Sequence, residues 1–294
     1  MVFVSGPPGT GGAGGADEQP LYLAVAGRRV FTGGCAAPSD PGRRDFLADL
    51  VRPYGVPLQE DTRASGGGQS YAEMAATLIA GTVPDSQPVD LLLLSHLVPD
   101  VYPDRATASY LSHRCPGEPV AFALTDQGTA GTFTGLRLAQ EYLREGSCQR
   151  VLLLVAEQAA LGHHAAGPVS LPERHAAVLL MLSGAGPARL TEVRQHPGVT
   201  PAQAPGLLRA ELAELAGAGP VTLVLGGELA RLPVAGLPAP VYVRAAPAGQ
   251  PGTGVWWELA GSLAGWVAAR RRAVLADYDP GLGYLCLAMA APAR

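Results

Sequence analysis

The stretch Val120-Ala-Phe-Ala-Leu124, followed by Thr125-Asp-Gln-Gly-Thr129-Ala-Gly-Thr-Phe-Thr134, decides how this chain is read. The first five residues have the apolar pattern of a buried strand. From Ala130 to about Glu145, Phe133, Leu136, Ala139 and Leu143 fall on one helical face, and Gly146 is the C′ stop. Strand and helix meet at an elbow, Gly128-Thr129. A small residue there sits over the unpaired N–H groups of the helix, whose dipole lowers the pKa of a thiol and favours an oxyanion. Such an elbow suits a nucleophilic cysteine, and Thr129 stands in its place. An alcohol gains almost nothing there, because it does not ionise without an adjacent base. The chain keeps the frame of an active site without its reactive atom.

Working outward, apolar runs that read as buried strands alternate with helical periods. The strands are Leu21–Val25, Asp90–Leu94, Val120–Leu124, Val151–Ala156 and Ala176–Leu182. The helices are Tyr71–Ala80, Ala106–Leu111 and the one after Thr129. This alternation implies a mostly parallel sheet covered on both faces. The series then restarts: helix Leu207–Leu215, strands Val221–Leu225 and Val241–Arg244, helix Gly254–Ala269, strands Ala273–Asp277 and Tyr284–Met289. Sliding residues 119–139 by 121 positions lays Pro119-Val120 on Pro240-Val241, Gly128 on Gly249 and Leu138-Ala139 on Leu259-Ala260. Thr129 then faces Gln250. The chain reads as two fused copies of one α/β unit, residues 21–186 and 187–294, behind a disordered Gly-rich tail at 1–20.

Composition narrows the chemistry. With 294 residues, 48% apolar and 16% charged, the chain is globular, with a sparsely charged surface or a large interface. A net charge of −4 argues against nucleic acid. All 21 basic residues are arginine, so lysine Schiff-base and pyridoxal-phosphate chemistry are excluded. Cys35, Cys115, Cys148 and Cys286 are scattered and read as reduced thiols of a cytoplasmic protein; neither a disulfide framework nor a metal site is implied. No apolar run approaches the ~20 residues of a membrane span. Gly6-Pro-Pro-Gly-Thr-Gly11 imitates a phosphate-binding loop, but Gly12 stands where the lysine belongs, and no strand or helix flanks it. No cofactor is called for.

The order of these segments resembles the thiolase-like superfamily, and most closely β-ketoacyl-acyl-carrier-protein synthase III, over about residues 21–292. Glu60-Asp-Thr-Arg63 with Ser70-Tyr-Ala-Glu-Met-Ala75 is similar to the family's characteristic arginine and first helix. Pro99-Asp-Val-Tyr-Pro103 is similar to its P-D-x-x-P loop, Ala121-Phe122 through Glu157 to its nucleophile strand and helix and the next strand, and Gly281-Leu-Gly-Tyr284 to its C-terminal glycine-rich turn. The resemblance implies two pseudo-duplicated α/β halves in a five-layer αβαβα arrangement. It also implies a Cys nucleophile, a His and an Asn that together stabilise thioester oxyanion and enolate. Carried over position by position, these become Thr129, Gly226 (Gly227 if the register slips by one) and Gln250.

Other residues offer groups for the same chemistry. His163, His164 and His175 could pair with Thr129 as a weak acyltransferase or hydrolase. The plainer reading is surface and strand-start histidines, with His96 structural. Arg270-Arg-Arg272 either complements a helix C-terminus or meets an acidic carrier protein or a pantetheine phosphate. Trp256, Trp257 and Trp266 are core or interface anchors. Three functions follow. The first is a non-catalytic subunit that pairs with an active synthase III-like enzyme, or with itself, in fatty-acid or polyketide-type biosynthesis. The second is an acyltransferase or thioester hydrolase acting on acyl-CoA or acyl carrier protein. The third, weaker, is an acyl-thioester binding module. The resemblance implies pairing through a sheet edge in the nucleophile half, placed at Val151–Ala156.

Overall fold

The structure is a computed structural model and describes residues 20–32, 41–58, 69–159, 161, 163, 171–216, 220–238 and 240–293. The first-half elements are β1 (Leu21–Phe31), α1 (Pro41–Val51), α2 (Tyr71–Thr82), β2 (Leu91–His96), α3 (Thr107–Ser112), β3 (Val120–Leu124), α4 (Ala130–Arg144), β4 (Arg150–Glu157) and β5 (His175–Ser183). The second-half elements are β6 (Ala188–His196), α5 (Ala204–Ala216), β7 (Val221–Leu225), α6 (Gly227–Ala230), β8 (Val241–Ala245), α7 (Gly254–Ala268), β9 (Arg272–Asp279) and β10 (Tyr284–Pro292).

Hydrogen-bonded neighbours run β3-β2-β4-β5-β1-β6-β10-β9-β7-β8. Read outward from the middle, each half therefore follows the same order: first, fifth, fourth, second, third strand. The directions also repeat. In each half the second strand is parallel to the third and fourth, and the fifth is antiparallel to the fourth and first. This is the internal duplication expected from the sequence. The halves join where β1 and β6 pair antiparallel at Leu21–Leu190, Tyr22–Arg189 and Leu23–Ala188. Beyond Leu23, β1 continues along β5 without β6, so the two halves part and enclose a layer between them.

Side-chain alternation along the strands fills three separate cores. In β4, Val151, Leu153 and Val155 face the central core, while Leu152, Leu154 and Ala156 face an outer one. In β9, Ala273 and Leu275 face the centre, while Val274, Ala276 and Tyr278 face the opposite outer core. The central layer holds α4 and α7, each touching strands of both halves. Phe133 of α4 meets Trp256 of α7 edge to face at 4.8 Å. α2 and α3 cover the first half, and α5 and α6 the second. The fold is thiolase-like: α/β, with parallel and antiparallel strand pairs in five layers.

Local chemistry sets the helix ends. Ser70 accepts from the Glu73 N–H at 3.2 Å, and the Glu73 carboxylate accepts from the Ser70 N–H at 3.4 Å, a capping box that starts α2. Gly146 (φ +72°) follows α4 and donates to the Leu143 carbonyl at 3.1 Å, as its C′ position requires.

Two expectations are corrected. Val151–Ala156 is not an edge: β4 lies between β2 and β5 and is buried on both faces. The edge strand of the nucleophile half is β3, with Val120 67% exposed, and its counterpart in the other half is β8. The sequence reading also passed over β6 and α1 entirely. β6 (Ala-Arg-Leu-Thr-Glu-Val-Arg-Gln-His) carries charged residues between its apolar ones, because Arg189 and Glu192 are exposed and Arg194 is paired with acids of α5. The tail at 1–19, the phosphate-loop mimic, Cys35, Glu60–Arg63 and His164 lie outside the described residues.

Candidate functional site

Thr129 is the N-cap of α4, but its side chain makes no capping bond. It is 8% exposed, and its Oγ has no hydrogen-bond partner. Its backbone N–H donates to Asp279 Oδ2 at 3.1 Å. Gly128, just before it, has φ +49°, and a Cβ added there would lie 1.8 Å from the same carboxylate oxygen. Asp279 thus lies directly on the elbow. Pro280 follows and brings no N–H. The anion that the N-terminus of α4 attracts is one of the chain's own carboxylates.

Gly226 follows β7 and is the N-cap of the short α6, and its N–H donates to the Ala276 carbonyl at 2.8 Å. A Cβ here would lie 1.9 Å from Asp277 Oδ1, so the Asp277 carboxyl fills the space a side chain would take. Asp277 is 2% exposed and accepts from the Tyr278 N–H at 2.8 Å. Burial first, then the negative charges of Asp279, Glu157 and Glu228, hold its pKa well above the usual carboxylate range.

Gln250 follows Gly249 (φ +71°), is 4% exposed and donates through Nε2 to Thr253 Oγ at 3.1 Å. Thr253 is the N-cap of α7, and its hydroxyl donates to Glu157. Glu157 Oε1 also accepts from the Gly252 N–H at 2.6 Å. The Glu157 carboxyl is fully buried, and burial pushes it up to about 7 against those hydrogen bonds. The strands and the positive-φ glycines of the two elbows keep the 121-residue offset, but the helix caps do not. Three residues intervene after Gly249, so by helix position Thr129 corresponds to Thr253, and Gln250 precedes the cap.

These contacts form a reciprocal exchange. The carboxylate at the end of β4 (Glu157) caps the elbow helix of the second half, and the one at the end of β9 (Asp279) caps that of the first. Sequence reasoning missed Glu157, Asp277 and Asp279. The available signal was an acid closing an otherwise apolar strand, in Val151-Leu-Leu-Leu-Val-Ala-Glu157 and Val274-Leu-Ala-Asp-Tyr-Asp279.

The other candidates resolve as structure. His175 Nδ1 accepts from the Ala159 N–H at 3.2 Å, and burial lowers its pKa, so it is the neutral imidazole. His96 stacks on Tyr71 at 4.8 Å, with its Nδ1 2.9 Å from the Val98 carbonyl oxygen. His163 bridges to Leu58 through the backbone. Trp256 and Trp266 are core, and Trp257 is half-buried beneath Arg28. Arg271 lies over the Tyr242 ring at 4.9 Å, and Arg272 donates to the Ala216 carbonyl. Cys115, Cys148 and Cys286 are free and buried. Among the described residues no cluster of His, Cys, Asp and Glu is placed to hold a metal, and no helix is long and apolar enough to cross a membrane.

No family model and no curated protein matches the chain. Solved structures do. An acyltransferase, ChlB3, superposes with TM-score 0.61 at 14% identity over 93% of this chain and 98% of its own. The tetronic acid condensing enzyme AbyA1 gives 0.58 at 17% identity over 93% and 100%. The 3-oxoacyl-(acyl carrier protein) synthase III of Pseudomonas aeruginosa gives 0.59 at 15% identity over 93% and 98%. The shared property is the fold.

Proposed function

We propose that this chain is a non-catalytic subunit with the condensing-enzyme fold, which pairs with an active synthase III-like enzyme, or with itself, in fatty-acid or polyketide-type biosynthesis in the cytoplasm. One observation carries the reading: the Thr129 N–H, placed to receive an oxyanion, already donates to Asp279 Oδ2. An oxyanion forming at this elbow would meet a carboxylate instead of a free donor. Two further features point the same way. The position assigned to a catalytic histidine, Gly226, is filled by Asp277, and no base touches Thr129 Oγ. Gln250, assigned to the asparagine, is turned to Thr253. The two halves, 21–186 and 187–294, then serve as a scaffold.

Pairing through β3 fits its sequence. Val120-Ala-Phe-Ala-Leu124 reads nearly the same in both directions, so an antiparallel copy centred on Phe122 sets alanine against alanine and valine against leucine. The edge carries no charge to oppose this. A related condensing subunit with a similar edge is accommodated equally well.

One feature favours the alternative, acyl transfer or thioester hydrolysis: Thr129 Oγ is buried and unpartnered at a helix N-terminus. Intact-mass analysis after incubation with acyl-CoA and with acyl carrier thioester separates the two. The proposal expects no covalent adduct. A stable acyl mass on the Thr129 peptide establishes the transferase reading instead.

A further inference from the structure

The second edge of the sheet, β8, differs from β3 in being charged, and it is about half exposed on both faces. Tyr242 is 52% exposed and Val243, on the opposite face, 49%. In the first half α3 packs against the edge strand, whereas residues 231–238, which precede β8, form no helix after α6. Among the described residues β8 hydrogen-bonds to β7 on one side only, and its other side is a row of backbone donors and acceptors.

The chemistry beside that row is specific. Tyr242 and Arg244 are two residues apart and share one face of the strand. Arg244 reaches α7, with NH1 3.3 Å from Glu258 and 3.2 Å from Ser262 Oγ, so this is the α7 side. Arg271, just past the end of α7, lays its guanidinium on the Tyr242 ring. Two cations therefore flank the strand on one side, Arg244 on the strand itself and Arg271 over the ring of Tyr242, the alternate residue roughly 7 Å along it. Val243 is exposed between them on the other side. The Arg244 side chain is 54% exposed, and one carboxylate cannot use all five of its donors.

We propose that β8 accepts an extended segment of another protein whose side chains alternate acidic and apolar. Acidic residues at alternate positions would meet Arg244 and Arg271, and an apolar residue between them would cover Val243. Main-chain pairing would supply register. A second copy of this chain is a poor occupant. Antiparallel self-pairing centred on Val243 sets Arg244 of one copy over Tyr242 of the other, where the second copy's Arg271 already sits, and like charges would meet. The proposal is independent of what happens at Thr129.

The test uses the full chain and a short, end-capped, fluorescently labelled peptide alternating glutamate and valine, titrated by anisotropy. Saturable binding is expected, weakened at least about tenfold by Arg244→Glu and likewise by Arg271→Glu. The double variant should prefer a lysine–valine peptide. Both side chains are solvent-exposed or partly so, and unchanged melting curves will show that the variants fold. Methylating alternate peptide nitrogens should abolish binding, because it removes main-chain donors. Three results overturn the proposal: no saturable binding, binding indifferent to both arginines, or a methylated peptide that binds like its parent. A single-stranded oligonucleotide that binds with the same arginine dependence while the peptide fails would mark a general anion surface and also overturn it.

Discussion

Replacing Glu157 by Gln should make two stability curves cross. In the folded chain this carboxyl is fully buried and titrates at about 7, against 4.5 when unperturbed. Its folded-state value is raised, so the folded state holds the extra proton between these two pH values. The favourable contribution is complete below about 4.5, is lost as pH rises through 7, and is flat above. Integrated, that loss is about 3 kcal/mol at most, to order of magnitude. Glutamine cannot ionise and escapes it. Its Oε1 can still accept from the Gly252 N–H, but the Thr253 hydroxyl loses its acceptor, because an amide N–H replaces the second oxygen. That costs about 1 kcal/mol at every pH. Glu157→Gln should therefore be about 1 kcal/mol less stable than the parent near pH 4.5 and roughly 2 kcal/mol more stable near pH 8. Urea unfolding of both proteins across this range reads the difference. Asp277 is shifted in the same direction, chiefly by burial and only in part by the Glu157 charge, so most of its slope is shared by the two proteins and the difference between the curves is what is diagnostic. Parallel curves would refute the claim that Glu157 is buried against α7 as a titrating group.

Three further outcomes are open to measurement. Gly128→Ala forces a left-handed φ on a residue whose Cβ would meet Asp279, and should cost at least about 2 kcal/mol; Asp279→Ala in that background should restore part of it in chemical denaturation. Thr129→Cys alone should stay unacylated by acyl-CoA in intact-mass spectra, whereas adding Asp279→Gly frees the N–H and should allow an acyl mass; ready acylation of the single variant would show that Asp279 does not block the elbow. Ala123→Arg on the exposed β3 edge should convert a dimer to a folded monomer in sedimentation with circular dichroism unchanged, and a dimer that persists would remove β3 from the interface.

Most of the fold was legible because periodicity survives where burial is one-sided or complete. Val120–Leu124 and Val221–Leu225 were bounded to the residue, and the repeat was visible because both elbows place a positive-φ glycine at the same distance from the preceding strand. The same logic explains the failures. β6 carries Arg189, Glu192 and Arg194 among its apolar residues, with Arg194 held by Glu192, Glu211 and Glu214. Salt bridges across to α5 satisfy charges that look, in sequence alone, like a loop.

The misplaced edge has a different physical cause, and it bears on the site as well. An unbroken apolar run was read as a surface awaiting a partner. β4 is apolar at successive positions because it serves two cores at once, its odd residues the central one and its even residues the outer one. True edges look weaker in sequence, with small or polar residues between the apolar ones, as in Ala121 and Ala123 of β3 or Arg244 of β8. The site was hidden for a related reason. Thr129, Gly226 and Gln250 could be placed by position. The groups that decide what Thr129 and Gly226 can do, Asp279 and Asp277, come from a strand about 50 or more residues away, and Gln250 turns to Thr253, which in turn donates to the distant Glu157. Glu157, Asp277 and Asp279 close apolar strands, where a carboxylate is costly unless something receives it. For Glu157 and Asp279 the receiver is a helix N-terminus in the opposite half. An acid that closes a buried strand in each of two repeated halves is thus a readable sign that each half caps the other.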